Sequence, residues 1–296
     1  MPSAPWVIRS LLFVPGNRMR LVEKARTLPA DAVILDLEDS VPEEEKAQAR
    51  ATVSAALAAG FPESQVVWIR VNAPSTGLLD QDLREAFHPR ADGVCLPKCE
   101  SEADVLACEV RLRALEDREG LAPGTVRLLP LIESPRGVLA AFGIARASPR
   151  VWGIAFGAED FTADLGVERT RAGEELAAAR AALSLAAHAA GVEAVDGIYA
   201  DFHDEAGLRA EAVQVKRLGF TGKMVIHPAQ IAPVHEAFAP TPEEVARAQR
   251  IVAAFDEARA RGSGVVVVDG AMVDRPVVLR AQRVLELARR MRSGTG

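Results

Sequence analysis

Eight short apolar runs alternate with longer segments rich in alanine, leucine, glutamate and arginine, and this alternation constrains the fold more than any other feature. The runs are almost continuously apolar, as expected for parallel strands that are buried on both faces. Eight such units in a chain of 296 residues predict an α/β protein of the (β/α)8 TIM barrel type. The predicted strands are residues 10–16, 31–39, 66–72, 93–98, 126–134, 151–157, 194–200 and 223–228.

A doubly wound sheet is the alternative to a barrel. A dinucleotide-binding fold of that type requires a glycine-rich turn after its first strand. The corresponding stretch here, "FVPGNR", contains a single glycine, and no Walker A sequence is present. The barrel is therefore the favoured prediction.

The eight units end near residue 228, so we predict a barrel over residues 1–238 and an extension over residues 239–296. Thr241 and Pro242 suit the N-cap and the first position of a helix over residues 240–262. Residues 263–278 indicate two short strands around Asp269–Gly270, and a last helix is expected at about residues 276–291. Such an appendage suits a lid, or an arm that reaches a neighbouring subunit.

The composition excludes several classes of partner. The net charge is −6 and no basic block stands out, which argues against binding to nucleic acid. No apolar segment approaches the roughly 20 residues of a membrane span. The N-terminal stretch lacks the layout of a signal peptide, so a cytoplasmic location is expected. Cys95, Cys99 and Cys108 lack a second metal-binding pair and are predicted to be reduced thiols.

Polar residues end six of the predicted strands. In barrels of this type the carboxyl ends of the strands build the active site. One such residue would be typical of a helix cap or a solvated rim, but six strand ends in the same register predict a shared pocket. The residues are Asp36, Glu38 and Asp39; Arg70 and Asn72; Pro97 and Lys98; Glu133; Glu159 and Asp160; and His227.

Several carboxylates without a Cys/His cluster favour a hard cation. Mg²⁺ usually takes one or two carboxylates and leaves positions for water and substrate oxygens. Glu133 and Asp160 follow adjacent strands and suit such a site, whereas Arg70 and Lys98 suit a substrate carboxylate. A nucleophilic serine is disfavoured because Ser134 has no G-x-S-x-G context. A Schiff base on Lys98, as in class I aldolases, would leave the carboxylates unexplained.

The sequence also resembles a known family. The segments "RSLLFVPGNR", "AVILDLEDSVPEEEKAQAR", "IRVN", "LPLIESPRG", "FGAEDFTADLG", "GFTGKMVIHPAQI" and "DGAMVDRPVV" are similar to those of the citrate lyase beta subunit family. That superfamily includes malyl-CoA and citramalyl-CoA lyases and the metal-dependent 2-oxo-acid aldolases. The resemblance extends from Arg9 to about Val278 and implies a Mg²⁺-dependent carbon–carbon lyase. The implied reaction is a retro-Claisen cleavage of a hydroxyacyl thioester, of the citryl-CoA type, to acetyl-CoA and a 2-oxo acid such as oxaloacetate.

The resemblance also implies roles for particular residues. Glu133 and Asp160 would be the metal ligands, and Arg70 would bind the substrate carboxylate or the enolate. Asp36 and Glu38 would hold the metal-bound waters and Arg70. Further implied substrate-binding residues are Lys98, Gly157, Ala158 and Glu159.

The resemblance further implies that an aspartate of the extension acts in the active site of a neighbouring subunit. The matching residue is Asp274, a general acid for the enolate, with Asp269 as a second choice that better suits a turn. A homo-oligomer, a trimer or a hexamer, is therefore expected. Asn17 and Arg18 could meet the phosphates of coenzyme A, although a plain helix start explains them equally well.

Several alternatives remain open at this level. The substrate could be citryl-CoA, malyl-CoA, methylmalyl-CoA or citramalyl-CoA, and a malyl-CoA thioesterase would use the same metal. The chain could instead act only inside a citrate lyase complex, with an acyl carrier protein and a transferase subunit. An aldolase acting on free hydroxy-oxo acids is disfavoured because the extension would have little to do. His227 could bind substrate or serve as a structural hydrogen-bonding group, and Tyr199 is expected to pack.

Overall fold

The computed structural model describes residues 6–293, and the chain divides into two compact units, Met1–Phe238 and Ala239–Gly296. The first unit is a closed barrel of eight parallel strands that follow one another in chain order. Strands one and eight pair through Leu11 and Met224 and close it, which confirms the predicted (β/α)8 fold. The strands are β1 (Ser10–Pro15), β2 (Ala32–Asp36), β3 (Val66–Arg70), β4 (Gly93–Leu96), β5 (Arg127–Ile132), β6 (Gly153–Phe156), β7 (Glu193–Asp196) and β8 (Gly222–Val225).

Each strand ends before its predicted run does, and β7 and β8 begin one residue earlier than predicted. The polar residues at the ends leave the sheet and enter the loops of the barrel mouth. The helices are α1 (Met19–Ala25), α2 (Lys46–Ala59), α3 (Leu79–Glu85), α4 (Glu102–Glu119), α5 (Pro135–Arg146), α6 (Ala158–Leu165), α7 (Ala177–Ala190), α8 (Glu205–Leu218), α9 (Ile231–Phe238), α10 (Pro242–Ala260) and α11 (Arg275–Ser293).

Alternation along the strands produces two hydrophobic cores in the barrel. On β2, Ile34 packs inside the barrel, whereas Val33 and Leu35 pack against the surrounding helices. Successive side chains of a strand point to opposite faces, so every strand contributes to both cores. This double burial explains why the strands read as continuously apolar in the sequence.

The amino-terminal end of the barrel is filled by aromatic side chains. The rings of Trp6, Trp68 and Trp152 lie 5.6–6.2 Å apart, centroid to centroid. Gly93 makes room for this group, because a Cβ there would lie 2.3 Å from the Trp68 ring. The barrel is therefore a packed core, and its open face is the carboxyl end of the strands.

The second unit consists of α10, α11 and an antiparallel hairpin between them, as predicted. The hairpin strands are β9 (Val266–Val268) and β10 (Ala271–Val273), joined by a turn in which Asp269 and Gly270 have positive φ. Thr241 caps α10 by accepting a hydrogen bond from the Glu244 N–H. A small apolar core holds the unit together, formed around Ala248, Ile251, Val273, Val278 and Ala281.

Two further observations concern the cysteines and the helices of the described residues. All three cysteines are buried and unpaired. None of the helices within residues 6–293 combines the length and the apolarity that crossing a membrane requires.

Candidate active site

The same alternation that builds the barrel core directs charged side chains into its mouth. Three strands have an inward-facing apolar residue that is followed, two positions later, by a charged residue on the same inward-facing side. Arg70, for example, lies above the inward-facing Trp68. The pairs are Ile34 and Asp36, Trp68 and Arg70, and Leu131 and Glu133.

Arg70 is held by a two-pronged ion pair with Asp36. Its Nε and Nη2 atoms donate to the two Asp36 oxygens, each at 2.7 Å, and its guanidinium lies 4.8 Å above the Phe13 ring. Burial works to raise the pKa of Asp36, but Arg70 more than offsets it and lowers that pKa. Burial works to lower the pKa of Arg70, but the charge and hydrogen bonds of Asp36, together with the charges of Glu38 and Asp39, raise it. Arg70 is therefore a fixed cation in the floor of the mouth.

Glu38 lies between two cations. Its carboxylate is 3.0 Å from Arg70 Nη1 and 3.1 Å from Lys98 Nζ, and only 5% of the residue is exposed. Burial raises the pKa of Glu38 to about 7, with Arg70 opposing the change and Asp39 adding to it. This carboxyl therefore titrates near neutral pH.

Glu133 is buried beside the other carboxylates. Its Oε2 accepts the backbone N–H of Lys98 at 2.7 Å. Burial and the charges of Glu38 and Asp160 raise the pKa of Glu133 to about 8. Gly157 leaves room for this side chain, because a Cβ there would lie 2.4 Å from Glu133 Cγ. The structure thus places a poorly compensated carboxyl group at the end of β5.

Ser134 and Pro135 begin α5 directly after Glu133. The Ser134 hydroxyl accepts the Gly137 N–H at 3.1 Å and donates to Glu100. This cap anchors the chain one residue beyond Glu133 and so fixes where its carboxyl group stands.

Lys98 connects the acidic residues of the mouth. Its Nζ lies 3.1 Å from Glu38, 3.4 Å from Asp39 and 3.8 Å from Asp160. Burial lowers the pKa of Lys98, but the hydrogen bond and charge of Glu38 dominate and raise it. A lysine that forms a Schiff base needs a lowered pKa, so this environment argues against the class I aldolase alternative.

Asp160 and Glu159 lie in the first turn of α6, and both side chains are about half exposed. Asp160 faces Lys98, whereas Glu159 pairs with Arg169 from the loop that follows α6. No sequence pattern marks Arg169 as a residue of the site. It lies in a polar loop with no motif around it, and only the folded chain brings it to Glu159.

Some polar residues near the strand ends have structural contacts. Asn72 donates to Asp82 at 2.7 Å through both its backbone and its side-chain amide. His227 caps a short helical turn, since its Nδ1 accepts the Ala229 N–H at 3.2 Å, and its ring stacks on Phe202. Tyr199 is buried and its hydroxyl donates to Asp204 at 2.8 Å. These contacts favour the structural interpretation of His227 over substrate binding.

The predicted carrier-binding pair follows β1. Asn17 is buried and donates to Glu45, and its Oδ1 has no hydrogen-bond partner among the residues described. Arg18 is exposed at the start of α1. The geometry is compatible with a phosphate contact by Arg18, whereas Asn17 is already engaged.

Asp274 lies in the second unit, directly after β10. Its carboxylate accepts the Val277 N–H at 3.3 Å and its carbonyl accepts the Val278 N–H, so it starts α11. Asp269, the second choice, occupies the hairpin turn and pairs with Arg250 at 2.9 Å. Asp269 thus has a local role.

The donor set of the mouth fits a hard divalent cation. Within residues 6–293 no group of three or more His, Cys, Asp or Glu side chains is arranged around one point. Glu133 and Asp160 repel each other electrostatically, and the Lys98 ammonium lies 3.8 Å from Asp160. Two oxygen-donor carboxyl groups, one of them buried beside like charges, suit Mg²⁺, which retains waters and substrate oxygens as further ligands.

Comparison with known proteins identifies the family of this chain. The family described as HpcH/HpaI aldolase/citrate lyase matches residues 9–228. The citrate lyase subunit beta of Escherichia coli (strain K12) is 44% identical over 280 residues, covering 95% of this chain and 93% of that protein. A (3S)-malyl-CoA thioesterase of Cereibacter sphaeroides is 38% identical over 283 residues, covering 95% of this chain and 94% of that protein.

A solved structure is similar over almost the whole chain. It is protein CitE from Mycobacterium tuberculosis in complex with magnesium, acetoacetate and coenzyme A. The two share 34% identity with a TM-score of 0.78, and the match covers 96% of this chain and 99% of that one. These relatives confirm the predicted resemblance and the prediction of an enzyme of the lyase type. The chain belongs to the HpcH/HpaI aldolase/citrate lyase family.

Proposed function

We propose that this protein is a Mg²⁺-dependent carbon–carbon lyase that cleaves a hydroxyacyl thioester of the citryl-CoA type. The products would be acetyl-CoA and a 2-oxo acid such as oxaloacetate. The observation that carries the proposal is the buried Glu133, whose carboxyl group lies among Glu38, Asp160 and the Lys98 N–H in the barrel mouth. The relatives described above support the choice of substrate class.

Glu133 and Asp160 would hold the metal ion. When bound, Mg²⁺ would act as a Lewis acid on the hydroxyl group and the adjacent carboxylate of the substrate. Its charge would also offset the burial of Glu133 and its repulsion by Glu38 and Asp160, which together raise the pKa of Glu133.

Arg70 would stabilise the enolate oxygen of the departing thioester. Three of its five N–H groups donate to Asp36 and Asp39, and Nη1 also lies 3.0 Å from the Glu38 carboxylate, which leaves the second N–H of Nη2 for a substrate oxygen. Because the Asp36 pair fixes the guanidinium before substrate arrives, the charge needs no reorganisation during cleavage.

Lys98 would bind the free carboxylate of the substrate beside it, and Gly157, Ala158 and Glu159 would line the same pocket.

Asp274 would donate the proton that converts the enolate to the methyl group of acetyl-CoA, acting from a neighbouring subunit of a homo-oligomer. Before this proton transfer, the substrate hydroxyl loses its proton to a carboxylate or a water of the mouth. The carbon–carbon bond then breaks, its electron pair forms the thioester enolate, and the hydroxyl carbon becomes the ketone carbon of the 2-oxo acid. Arg18 would contact the carrier phosphates.

The experiment is a direct assay of citryl-CoA, malyl-CoA and citramalyl-CoA with purified protein, Mg²⁺ and EDTA. We expect Mg²⁺-dependent release of acetyl-CoA and a 2-oxo acid from citryl-CoA. Cleavage that continues unchanged in EDTA would contradict the metal site, and turnover of none of the three esters would contradict action on free CoA thioesters.

A malyl-CoA thioesterase is the second candidate, favoured by the relative from Cereibacter sphaeroides. In that reaction water attacks the thioester carbonyl, and the products are free malate and coenzyme A. Product analysis separates the two reactions, since only carbon–carbon cleavage yields a 2-oxo acid.

A role as the beta subunit of a larger citrate lyase is the third candidate, favoured by the relative from Escherichia coli. The thioester would then be carried by an acyl carrier protein, and a transferase subunit would form that thioester. Much faster turnover of a citryl group on a phosphopantetheine-bearing acyl carrier protein than of free citryl-CoA would support this alternative.

A further inference from the structure

Arg169 joins the first turn of α6 to the end of β7, the strand that neighbours β6 in the barrel. Its Nη1 donates to the Glu159 carboxylate, and its Nη2 donates to the Ile198 carbonyl, just beyond β7, at 2.6 Å. The same Nη2 atom lies 3.7 Å from Glu211 of α8. Only 13% of the Arg169 side chain is exposed, so the guanidinium is held in place although it comes from a loop.

Behind Arg169 lies a buried network of charges. Glu211 pairs with Arg180 at 3.0 Å and with Lys223 at 2.7 Å, and both of these cations also pair with Asp196 at the end of β7. Lys223, Asp196 and Arg180 are at most 1% exposed. These pairs tie β7, β8, α7 and α8 into one rigid support. Arg169 connects that support to α6.

The loop that carries Arg169 is itself ordered by local contacts. Thr170 donates to Glu175 through its N–H at 2.9 Å and its hydroxyl at 2.7 Å. On the other side, the Val167 N–H donates to the Thr162 carbonyl of α6 at 3.0 Å. The backbone is therefore held by hydrogen bonds both before and after Arg169 in the chain.

We propose that Arg169 is a positioning residue for Asp160. Asp160 follows Glu159 directly in the short helix α6, so the hold of Arg169 on Glu159 fixes the turn that carries Asp160. The guanidinium locks that turn against β7 and the charge network, and thereby sets the distance from Asp160 to Glu133. This inference rests on the proposed metal site formed by Glu133 and Asp160.

The fold does not depend on this contact. Without the guanidinium, Glu159 is about half exposed and becomes solvated, and Glu211 keeps both Arg180 and Lys223. Replacing Arg169 should therefore loosen α6 while the barrel remains folded. Arg171 in the same loop provides a matched control, because its side chain is 79% exposed and reaches Asp201 and Asp204 only at 3.4 and 3.6 Å.

The test measures Mn²⁺ binding, by isothermal titration and by the electron paramagnetic resonance signal of free Mn²⁺, in the wild type, R169Q, R169K and R171Q. Loss of a residue that orients a metal ligand typically weakens affinity about 10- to 100-fold, and we expect a loss in that range for R169Q. The Mn²⁺ affinity of R169K should lie between those of R169Q and the wild type, because lysine keeps the charge but cannot donate to two partners as the guanidinium does. R171Q should bind Mn²⁺ as the wild type does.

A second variant guards against misfolding. E159Q removes the other partner of the same contact and should weaken Mn²⁺ binding in the same direction, with an unchanged near-ultraviolet circular dichroism spectrum. Wild-type affinity in R169Q, or an equal loss in R171Q, would overturn the role of Arg169. If the wild type itself binds no Mn²⁺, the proposed metal site fails instead, so the two failures are distinguishable.

Discussion

The backbone N–H of Lys98 donates to Glu133 Oε2 at 2.7 Å, and Lys98 makes this bond from a left-handed conformation with φ of 50°. A residue with a Cβ rarely adopts such a φ, and it costs about 1–2 kcal/mol. The strain allows one residue to orient Glu133 with its backbone and to reach Glu38 and Asp160 with its side chain. Lys98 therefore links the carboxylates of β2, β5 and α6.

Replacing Lys98 by glycine or by alanine separates its backbone role from its charge. Both changes remove the ammonium group, and hydrogen bonds to charged groups contribute about 1.5–3 kcal/mol, so kcat/KM should fall roughly 10- to 100-fold in each. Lys98→Gly should be more stable than Lys98→Ala by about 1 kcal/mol, since glycine adopts positive φ without strain. Urea denaturation and steady-state kinetics measure the two effects. Full activity in either variant would contradict a substrate contact by the ammonium group.

The metal-free protein should lose stability as the pH rises. Glu133 has a pKa of about 8 and Glu38 of about 7 in the folded chain, both above the ordinary value of 4.5. The folded state therefore holds more protons than the unfolded state between pH 4.5 and 8, and the free energy of unfolding falls across that window. Glu133→Gln should reduce the fall by on the order of a few kcal/mol, because glutamine carries no charge to bury.

Urea denaturation in EDTA at pH 5, 7 and 8.5 checks this prediction on the wild type and Glu133→Gln. Saturating Mg²⁺ should restore wild-type stability at high pH and have little effect on the variant. Parallel pH curves for the two proteins would show that Glu133 is not the group that titrates.

Arg70→Lys should lower kcat more than the same change at Arg150, a buried arginine with a structural role. Lysine keeps the charge but cannot make the two-pronged pair with Asp36, so we expect a loss in kcat of about 10²-fold or more. Arg150→Lys is the matched control, because Arg150 is equally buried and pairs with Glu116 through two bonds of 2.5 and 2.6 Å near the amino ends of β5 and β6. That change should lower the melting temperature and leave kcat near the wild-type value. Equal losses of kcat in both variants would indicate a general structural effect.

Gly157→Ala should disturb the metal site directly. The added Cβ would lie 2.4 Å from Glu133 Cγ and 2.6 Å from its Oε1, so the carboxylate must move. We expect Mn²⁺ affinity to fall about 10- to 100-fold, as when a metal ligand loses its orientation. Gly264→Ala is the control, since a Cβ there meets nothing within 4 Å. Unchanged Mn²⁺ titrations for Gly157→Ala would argue against Glu133 as a ligand.

Asp274→Ala should abolish proton transfer without affecting metal binding. General acid catalysis contributes about 10²–10⁴-fold, so kcat should fall in that range while Mn²⁺ affinity is retained. Asp269→Ala serves as the control within the same hairpin. Mixing Asp274→Ala with Glu133→Ala subunits should restore part of the activity if the aspartate acts across subunits. No recovery after verified subunit exchange would count against that arrangement.

The sequence by itself determined the barrel and predicted most of the charged residues that meet in its mouth. Eight doubly buried strands leave few other architectures, and a side-chain period of two carries the inward-facing row from Trp68 to Arg70 and from Leu131 to Glu133. Because parallel strands end at the same edge, their terminal charges must meet, and residue order alone predicts that.

Tertiary structure decided which of these charges are in contact and which are only near the mouth. Asn72 follows a strand just as Arg70 does, yet it turns to Asp82, whereas Lys98 adopts a left-handed conformation that no pattern in "GVCLPK" predicts. Arg169 and Glu211 are 42 positions apart in the chain and lie 3.7 Å apart only after the barrel has closed. Periodicity reflects the burial of each residue locally, but the pairing of side chains depends on loop paths and on how the barrel brings distant strands together.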